Sequence, residues 1–183
     1  MAASRSTAGA VLFVAVFAVY SLAVKRLVLG IPDDAGKLEV DRPAPALTLL
    51  DTHGKRIDLQ EVASRNKVVM VTFWATWCGP CRVELPHLEK LYQERKGKGF
   101  EILAVNGDED RAAMVTYLRE RPLTFPVLVD AKNRAARRFG VESLPTSVLI
   151  DRRGRVRHVL HGLDPHIEFT LDEYLRRKKG GDG

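Results

Sequence analysis

Hydrophobic positions along the chain alternate between continuous apolar runs and apolar residues at helical spacing. The run 68–73 is typical of a strand that is covered on both faces of a sheet. Leu85, Leu88 and Leu91 follow this run at helical spacing and predict a helix that reaches about residue 96. The alternation of the two patterns predicts an α/β fold.

Turn residues and further apolar runs mark the other elements. Gly54 and Gly140 predict a hairpin turn and a helix end, and we expect Pro86 to bend the helix in which it lies. The acidic stretch 107–110 predicts the start of another helix, because carboxylates favour the positive end of the helix dipole. The predicted elements are a β-hairpin over 47–50 and 56–59, helices over 59–64, 107–120, 133–139 and 165–177, and strands over 68–73, 101–106, 125–130, 146–151 and 156–161.

A long apolar segment lies near the N-terminus. Residues 8–24 are almost all apolar, and snorkelling of Lys25 and Arg26 extends the span to residue 29. We interpret this segment as a transmembrane anchor, and a signal peptide cleaved near Ala23 is the alternative. The predicted organisation is a short tail at 1–7, the anchor or uncleaved signal at 8–29, a linker at 30–41, a globular domain at 42–177 and a disordered tail at 178–183.

Charge and cysteine content narrow the classes of function. The formal net charge is +6, but the basic residues lie in scattered clusters without interleaved aromatic residues, so we expect no nucleic-acid partner. Two cysteines in 183 residues exclude a disulfide scaffold. No histidine pair stands beside them at ligand spacing, so neither a metal site nor a cofactor is predicted.

Both cysteines lie in the sequence W-C-G-P-C at residues 77–81, where the apolar run ends and the helix begins. A C-x-x-C in this placement is a redox motif. Unpaired backbone N–H groups and the helix dipole favour an anion there, so we expect Cys78 to act as the attacking thiolate. Cys81 is the proposed resolving thiol, and Pro80 is tolerated because the first helical turn does not need its N–H.

Glu84 lies one helical turn after Cys81, so both residues face the same side of the helix. If that side is buried, desolvation raises the pKa of the carboxyl group. Glu84 is then able to take the proton of Cys81 during the resolving step. The alternative is a solvated glutamate on the helix surface.

Three motifs together resemble the thioredoxin superfamily. They are W-C-G-P-C, the opening P-A-P…L-x-D-x-x-G from residue 43, and V-E-S-L-P-T at 141–146. Over roughly residues 40–174 the chain is similar to the membrane-anchored TlpA/ResA-like, CcmG/DsbE-related thiol-disulfide oxidoreductases. This resemblance implies a thioredoxin-like fold with an N-terminal β-hairpin extension and a central βα insert at about 108–130, preceded by one transmembrane helix.

The resemblance also implies roles for particular residues. Pro145 is expected to be a cis-proline that packs against the disulfide and directs the backbone of Leu144 towards a client peptide. ResA-like proteins carry a glutamate at the position of Glu84. The predicted catalytic residues are Cys78, Cys81, Glu84 and Pro145, and the predicted substrate-binding residues are Trp77, Gly79, Pro80, Leu144 and Thr146.

Three further positions refine this picture. Ordinary thioredoxins place a buried aspartate where this chain has Thr72, and a threonine cannot serve as a base. Because Thr72 cannot accept a proton, Glu84 becomes the stronger candidate for the proton acceptor. Trp77 is expected to form an exposed apolar rim for the partner, whereas Trp74 is expected to pack in the core.

By resemblance, the expected function is reduction of disulfides in client proteins outside the cytoplasm. The expected location is a bacterial cell membrane, with a single pass and the catalytic domain on the periplasmic side. Expected clients are apocytochrome c or copper-site assembly proteins of cytochrome oxidase, and the expected electron source is a membrane donor of the DsbD/CcdA type. The charges of Lys25 and Arg26 alone favour the opposite orientation.

Two other functions stay open. A peroxiredoxin-like antioxidant is suggested by the redoxin-like opening, although Val71 and Ala75 occupy the Pro and Ser/Thr positions of the peroxidatic motif. A metallochaperone would hold Cu(I) between Cys78 and Cys81. Insulin reduction that depends on both cysteines distinguishes the oxidoreductase from the metallochaperone.

Overall fold

The computed structural model describes residues 38–176. These residues form a two-stranded hairpin and a five-stranded mixed sheet with helices. The strands are β1 (Thr48–Leu50), β2 (Arg56–Asp58), β3 (Val68–Trp74), β4 (Phe100–Asn106), β5 (Val127–Val129), β6 (Thr146–Asp151) and β7 (Val156–His161). The helices are α1 (Leu59–Arg65), α2 (Gly79–Arg95), α3 (Arg111–Glu120), α4 (Arg134–Arg138) and α5 (Ile167–Arg176).

The central strand of the sheet is β3, in the order β5-β4-β3-β6-β7. It pairs parallel with β4 and antiparallel with β6. Every residue of β3 is buried, as expected for a strand covered on both faces. The pairing ends with Trp74 opposite Asn106, so the C-terminal ends of β3 and β4 lie side by side where the cysteine segment leaves the sheet.

Alternate residues of β3 belong to two hydrophobic clusters. Met70 and Trp74 join the cluster that also contains both cysteines and the leucines of α2. Val71 and Phe73 join the cluster that contains the buried residues of α1. Successive side chains of a strand point to opposite faces of the sheet. The unbroken apolar run is therefore needed to fill the core on both sides.

The predicted hairpin and the predicted βα insert are both present. β1 and β2 pair antiparallel, and Gly54 in their turn has a φ of 82°, which favours glycine. Within the insert, α3 leads to β5, which pairs parallel with β4 at the edge of the sheet. The thioredoxin-like α/β architecture is thus confirmed. Pro86 lies inside α2, which continues to Arg95.

The predicted start of α3 at residue 107 was wrong. The helix begins at Arg111, and Asp110 is its N-cap, with its side chain accepting a hydrogen bond of 2.8 Å from the backbone N–H of Ala112. Asp108 lies outside the helix and is buried. Its carboxylate accepts hydrogen bonds from Thr76, 32 positions earlier in the chain. A local pattern of acidic residues does not reveal so distant a partner.

Several predicted segments lie outside the described residues. These are the tail at 1–7, the transmembrane anchor at 8–29, most of the linker at 30–41 and the tail at 178–183. Between residues 38 and 176, no helix combines the length and the hydrophobicity that a membrane span requires.

Candidate active site

A tight turn carries the chain from β3 into α2 and places Cys78 at the helix N-terminus. The backbone N–H of Cys78 donates to the carbonyl oxygen of Ala75 over 3.2 Å. Cys78 is the N-cap of α2, and its Sγ accepts a 3.2 Å hydrogen bond from the backbone N–H of Cys81. A sulfur in this position lies where free helical N–H groups stabilise negative charge. The structure thus confirms the placement from which the reactivity of Cys78 was predicted.

The two cysteines form a disulfide in this structure. Their Sγ atoms are 2.08 Å apart and their Cα atoms are 5.3 Å apart. Cys78 is 5% exposed, whereas Cys81 is completely buried. Cys78 is thus the more accessible of the two, which is consistent with the attacking role predicted for it, and the roles of the two cysteines stay predictions.

The two tryptophans near the disulfide have different environments. Trp77 is 74% exposed, beside the N-terminus of α2, and Trp74 is buried with its ring 5.3 Å from that of Tyr117. The predicted exposed rim and the predicted core packing are both seen. Gly79 and Pro80 open α2 and are exposed as well, so a partner is able to approach this side of the disulfide.

Glu84 is half-buried on α2, one turn beyond the buried Cys81. Burial raises the pKa of Glu84 to about 7, from an ordinary value of 4.5. At neutral pH the carboxyl group therefore gains and loses a proton readily, which is what an acid–base partner for a thiol requires. The structure places this glutamate in the environment that the sequence analysis required, and not on the open helix surface.

Pro145 precedes β6, and its peptide bond with Leu144 is cis, as predicted. Its carbonyl oxygen accepts a 2.8 Å hydrogen bond from the N–H of Gly162. Leu144 packs against the cluster that contains both cysteines. Thr146, the first residue of β6, pairs with Phe73 near the end of β3, and its Oγ1 donates to the carbonyl oxygen of Ser143 over 2.8 Å. The predicted contact of Leu144 with a client peptide stays a prediction.

Thr72 and Ser147 form a buried hydroxyl pair between β3 and β6. The Oγ of Ser147 donates to Oγ1 of Thr72 over 2.9 Å, and both residues are almost completely buried. This pair carries no ionisable group. Thr72 and Ser147 therefore supply no proton acceptor for Cys81, and Glu84 stays the predicted one.

Comparison with known proteins gives a consistent result. The model of the AhpC/TSA family matches residues 40–159. A thiol-disulfide oxidoreductase ResA from Bacillus thuringiensis subsp. konkukian is 37% identical over 141 residues, which cover 77% of this chain and 79% of the relative. The chain belongs to the AhpC/TSA family, among the ResA-like thiol-disulfide oxidoreductases of the thioredoxin superfamily.

Other relatives of this family agree. The ResA of Bacillus subtilis is 35% identical over 150 residues, which cover 81% of this chain and 82% of that one. A solved structure from Chlorobium tepidum, assigned as thiol:disulfide interchange protein DsbE, is 34% identical and superposes with a TM-score of 0.68, covering 76% of this chain and 96% of that chain. This ResA-like protein is therefore a protein-disulfide oxidoreductase, with Cys78 and Cys81 at disulfide distance and disulfide-bearing proteins as its clients.

One group of buried polar residues beside the redox pair was missed by the sequence analysis. Asp108 follows β4, and its carboxylate accepts hydrogen bonds from Thr76 in the turn before Cys78 and from Asn106. The sequence signal is N-G-D at the end of an apolar strand, but the acidic stretch that contains this aspartate predicts a helix start.

Metal binding was predicted to be absent. Within residues 38–176, no three His, Cys, Asp or Glu side chains are grouped closely enough to hold a metal ion together. The Cu(I) alternative stays a hypothesis for a metal-uptake assay.

Proposed function

We propose that this ResA-like oxidoreductase reduces disulfides of client proteins outside the cytoplasm, while an N-terminal segment anchors it to a bacterial membrane. The proposed clients are apocytochrome c, at its C-x-x-C-H haem site, or proteins that assemble the copper site of cytochrome oxidase. The proposed electron source is a membrane donor of the DsbD/CcdA type. The observation that carries the proposal is the unequal exposure of the two cysteines, with Glu84 on the face of the buried one.

The first step uses Cys78, the cysteine that keeps some solvent exposure. The Cys78 thiolate attacks one sulfur of the client disulfide, which breaks the client S–S bond and forms a mixed disulfide. The other client sulfur leaves as a thiolate and takes a proton from water. The helix N-terminus lowers the energy of the attacking anion, because the N–H of Cys81 points at the Cys78 sulfur.

The second step depends on Cys81 and Glu84. Cys81 gives its proton to the Glu84 carboxylate and attacks Sγ of Cys78, which forms the Cys78–Cys81 disulfide and releases the second client sulfur as a thiolate. The second client thiolate also takes a proton from water, and Glu84 releases its proton to solvent. The client therefore gains two electrons and two protons overall, and the oxidoreductase loses two electrons. The membrane donor then supplies two electrons to restore the dithiol.

Trapping tests this function in the native membrane. A Cys81→Ala variant cannot resolve the mixed disulfide, so client proteins should stay attached to Cys78 and separate on reducing gels. The matched control is the Cys78→Ala/Cys81→Ala double variant, which should capture nothing. Capture of a c-type apocytochrome or a copper-site protein supports the proposed clients. Equal recovery with the double variant, or Cu(I) uptake without thiol exchange, contradicts the proposal.

The proposed location has its own experiment. Alkaline phosphatase fused to the C-terminus is active only outside the cytoplasm, whereas a fused green fluorescent protein exported through the general secretion pathway is dark there. We expect an active phosphatase, a dark fluorescent protein and recovery of the full-length fusion in membranes. The reverse pair of signals would place the catalytic domain in the cytoplasm.

A further inference from the structure

The carboxylate of Asp108 lies directly behind the turn that presents the redox cysteine. It is 4% exposed, follows the end of β4, and sits across from the end of β3. The backbone N–H of Thr76 donates to both of its oxygens at 3.1 Å, and Oγ1 of Thr76 donates to Oδ1 at 3.1 Å. The side-chain amide of Asn106 donates to Oδ2 at 2.9 Å. All of these bonds converge on one buried anion.

The neighbouring backbone holds the carboxylate in place. The N–H of Asp108 donates to Oδ1 of Asn106 at 3.1 Å, and the N–H of Gly107 donates to the carbonyl of Trp74 at 3.0 Å. A Cβ at Gly107 would stand 2.5 Å from Oδ1 of Asn133, so a larger residue there would require the Asn133 side chain to shift. Asp108 is therefore held in place at the end of β4, and its carboxylate binds Thr76 in the turn before Cys78.

Thr76, the residue that Asp108 binds, lies directly before Trp77 and Cys78 in the turn. Thr76 is the second residue of the turn closed by the Cys78 N–H and the Ala75 carbonyl. The next residue is the exposed Trp77, and the one after it is the nucleophile Cys78. Charge-assisted hydrogen bonds to Thr76 restrict the backbone just before both groups. Cys78 also has its own hydrogen bonds with Ala75 and Cys81, so the bonds to Thr76 affect chiefly the placement of Trp77.

We propose that Asp108 is a positioning residue for client recognition. Through Thr76, it holds Trp77 and Cys78 in the arrangement that accepts a disulfide carried by a folded or extended protein. The inference rests on the proposed function, because it assigns Trp77 to contact with a protein client. A small disulfide reaches Cys78 without touching Trp77, so it depends less on this arrangement.

The chain offers a control one residue away. Asp108→Asn and Glu109→Gln each remove one negative charge, but Glu109 is exposed and lies outside the network. Each full-length variant is assayed for reduction of insulin and of oxidised glutathione. We expect Asp108→Asn to lower kcat/KM for insulin about tenfold while the rate with oxidised glutathione stays near that of the wild type. Glu109→Gln should leave both rates unchanged.

A second pair of variants keeps the test decisive if Asp108→Asn does not fold. Thr76→Val removes only the hydroxyl bond to the carboxylate and should lower insulin reduction selectively, and Thr76→Ser should restore it. Equal behaviour of Asp108→Asn and Glu109→Gln, or an equal loss with both disulfides, overturns the inference. If the wild type itself does not reduce insulin, the proposed function fails instead, so the two failures are distinguishable.

Discussion

The proposed chemistry of the site depends on the burial of two side chains, Cys81 and Glu84. Cys81 has no contact with solvent, and Glu84, one turn further along α2, is half-buried. A buried thiol loses its proton with difficulty because the thiolate is poorly solvated. Burial also raises the pKa of Glu84 to about 7, so desolvation that makes Cys81 harder to deprotonate also makes the proposed proton acceptor more basic.

Replacing Glu84 by glutamine should slow the resolving step. Glutamine keeps the shape of the side chain but cannot accept the proton of Cys81, and loss of a general base typically slows a step by about 100-fold or more. Release of client from the mixed disulfide, followed in a single turnover, measures this step. The wild-type rate should rise as pH increases through about 7, and the rise should be missing in the variant. A Glu84→Gln rate that matches Glu109→Gln at every pH would exclude the role.

Glu84 should also make the stability of the oxidised protein depend on pH. Because its pKa is about 7 in the folded state and 4.5 is its ordinary value, the folded state binds more protons between these two pH values. The free energy of unfolding should therefore fall as pH rises from about 4.5 to about 7, by on the order of 2 kcal/mol. Urea unfolding at several pH values measures this. Glu84→Gln should remove this part of the slope, and an identical slope in both proteins would show that Glu84 is solvated.

At the scale of elements, α2 performs two tasks at its two ends. Its first turn holds the disulfide, and its last residue, Arg95, connects it to α5. Nε of Arg95 donates to Oδ1 of Asp172 over 2.8 Å, and its Nη1 lies 2.7 Å from Oε2 of Glu94. The Arg95 side chain is only 11% exposed. A helix of this length separates the two ends by about 24 Å, so the contact with α5 is structural.

Arg95→Met should therefore reduce stability without changing catalysis. The substitution removes a mostly buried cation from its ion pairs with Glu94, Glu168 and Asp172, which should cost about 2 kcal/mol. Arg65→Met is the matched control, because the ion pair of Arg65 with Glu61 is exposed and should contribute less than about 0.5 kcal/mol. Chemical denaturation and insulin reduction are measured on both. Equal stabilities of the two variants, or a loss of kcat/KM in folded Arg95→Met, would contradict this assignment.

At the scale of the whole molecule, the elements that build the site all lie within residues 38–176. Both hydrophobic clusters are formed by residues of this range. A domain needs its own core to fold alone, and this range supplies one on each face of the central strand.

A fragment that begins at residue 38 should accordingly fold and remain active. We expect a single cooperative unfolding transition and the same kcat/KM for insulin as the full chain in detergent. Circular dichroism during denaturation and the insulin assay provide the two measurements. A fragment that unfolds without cooperativity would mean that the N-terminal residues contribute to the core.

The amino-acid sequence by itself determined the order of strands and helices, the redox pair and the exposed Trp77, whereas the cis-proline at position 145 was expected from the resemblance to the thioredoxin superfamily. These features depend on local patterns and on motifs only a few residues long. Sequence spacing also identified Glu84 as a candidate base, because residues three apart share a face of a helix. The degree of its burial, and hence its pKa, came only with the fold.

The tertiary structure alone decided which polar groups meet. Thr76 and Asp108 are 32 positions apart, and Thr72 and Ser147 are 75 positions apart. Parallel pairing of β3 with β4 and antiparallel pairing of β3 with β6 bring them together. The local pattern therefore predicted a helix start at Asp108, whereas strand pairing brings its carboxylate to Thr76, a half-buried residue in the turn before Cys78. The physical reason is that hydrogen bonds between distant segments depend on strand pairing, which local periodicity does not specify.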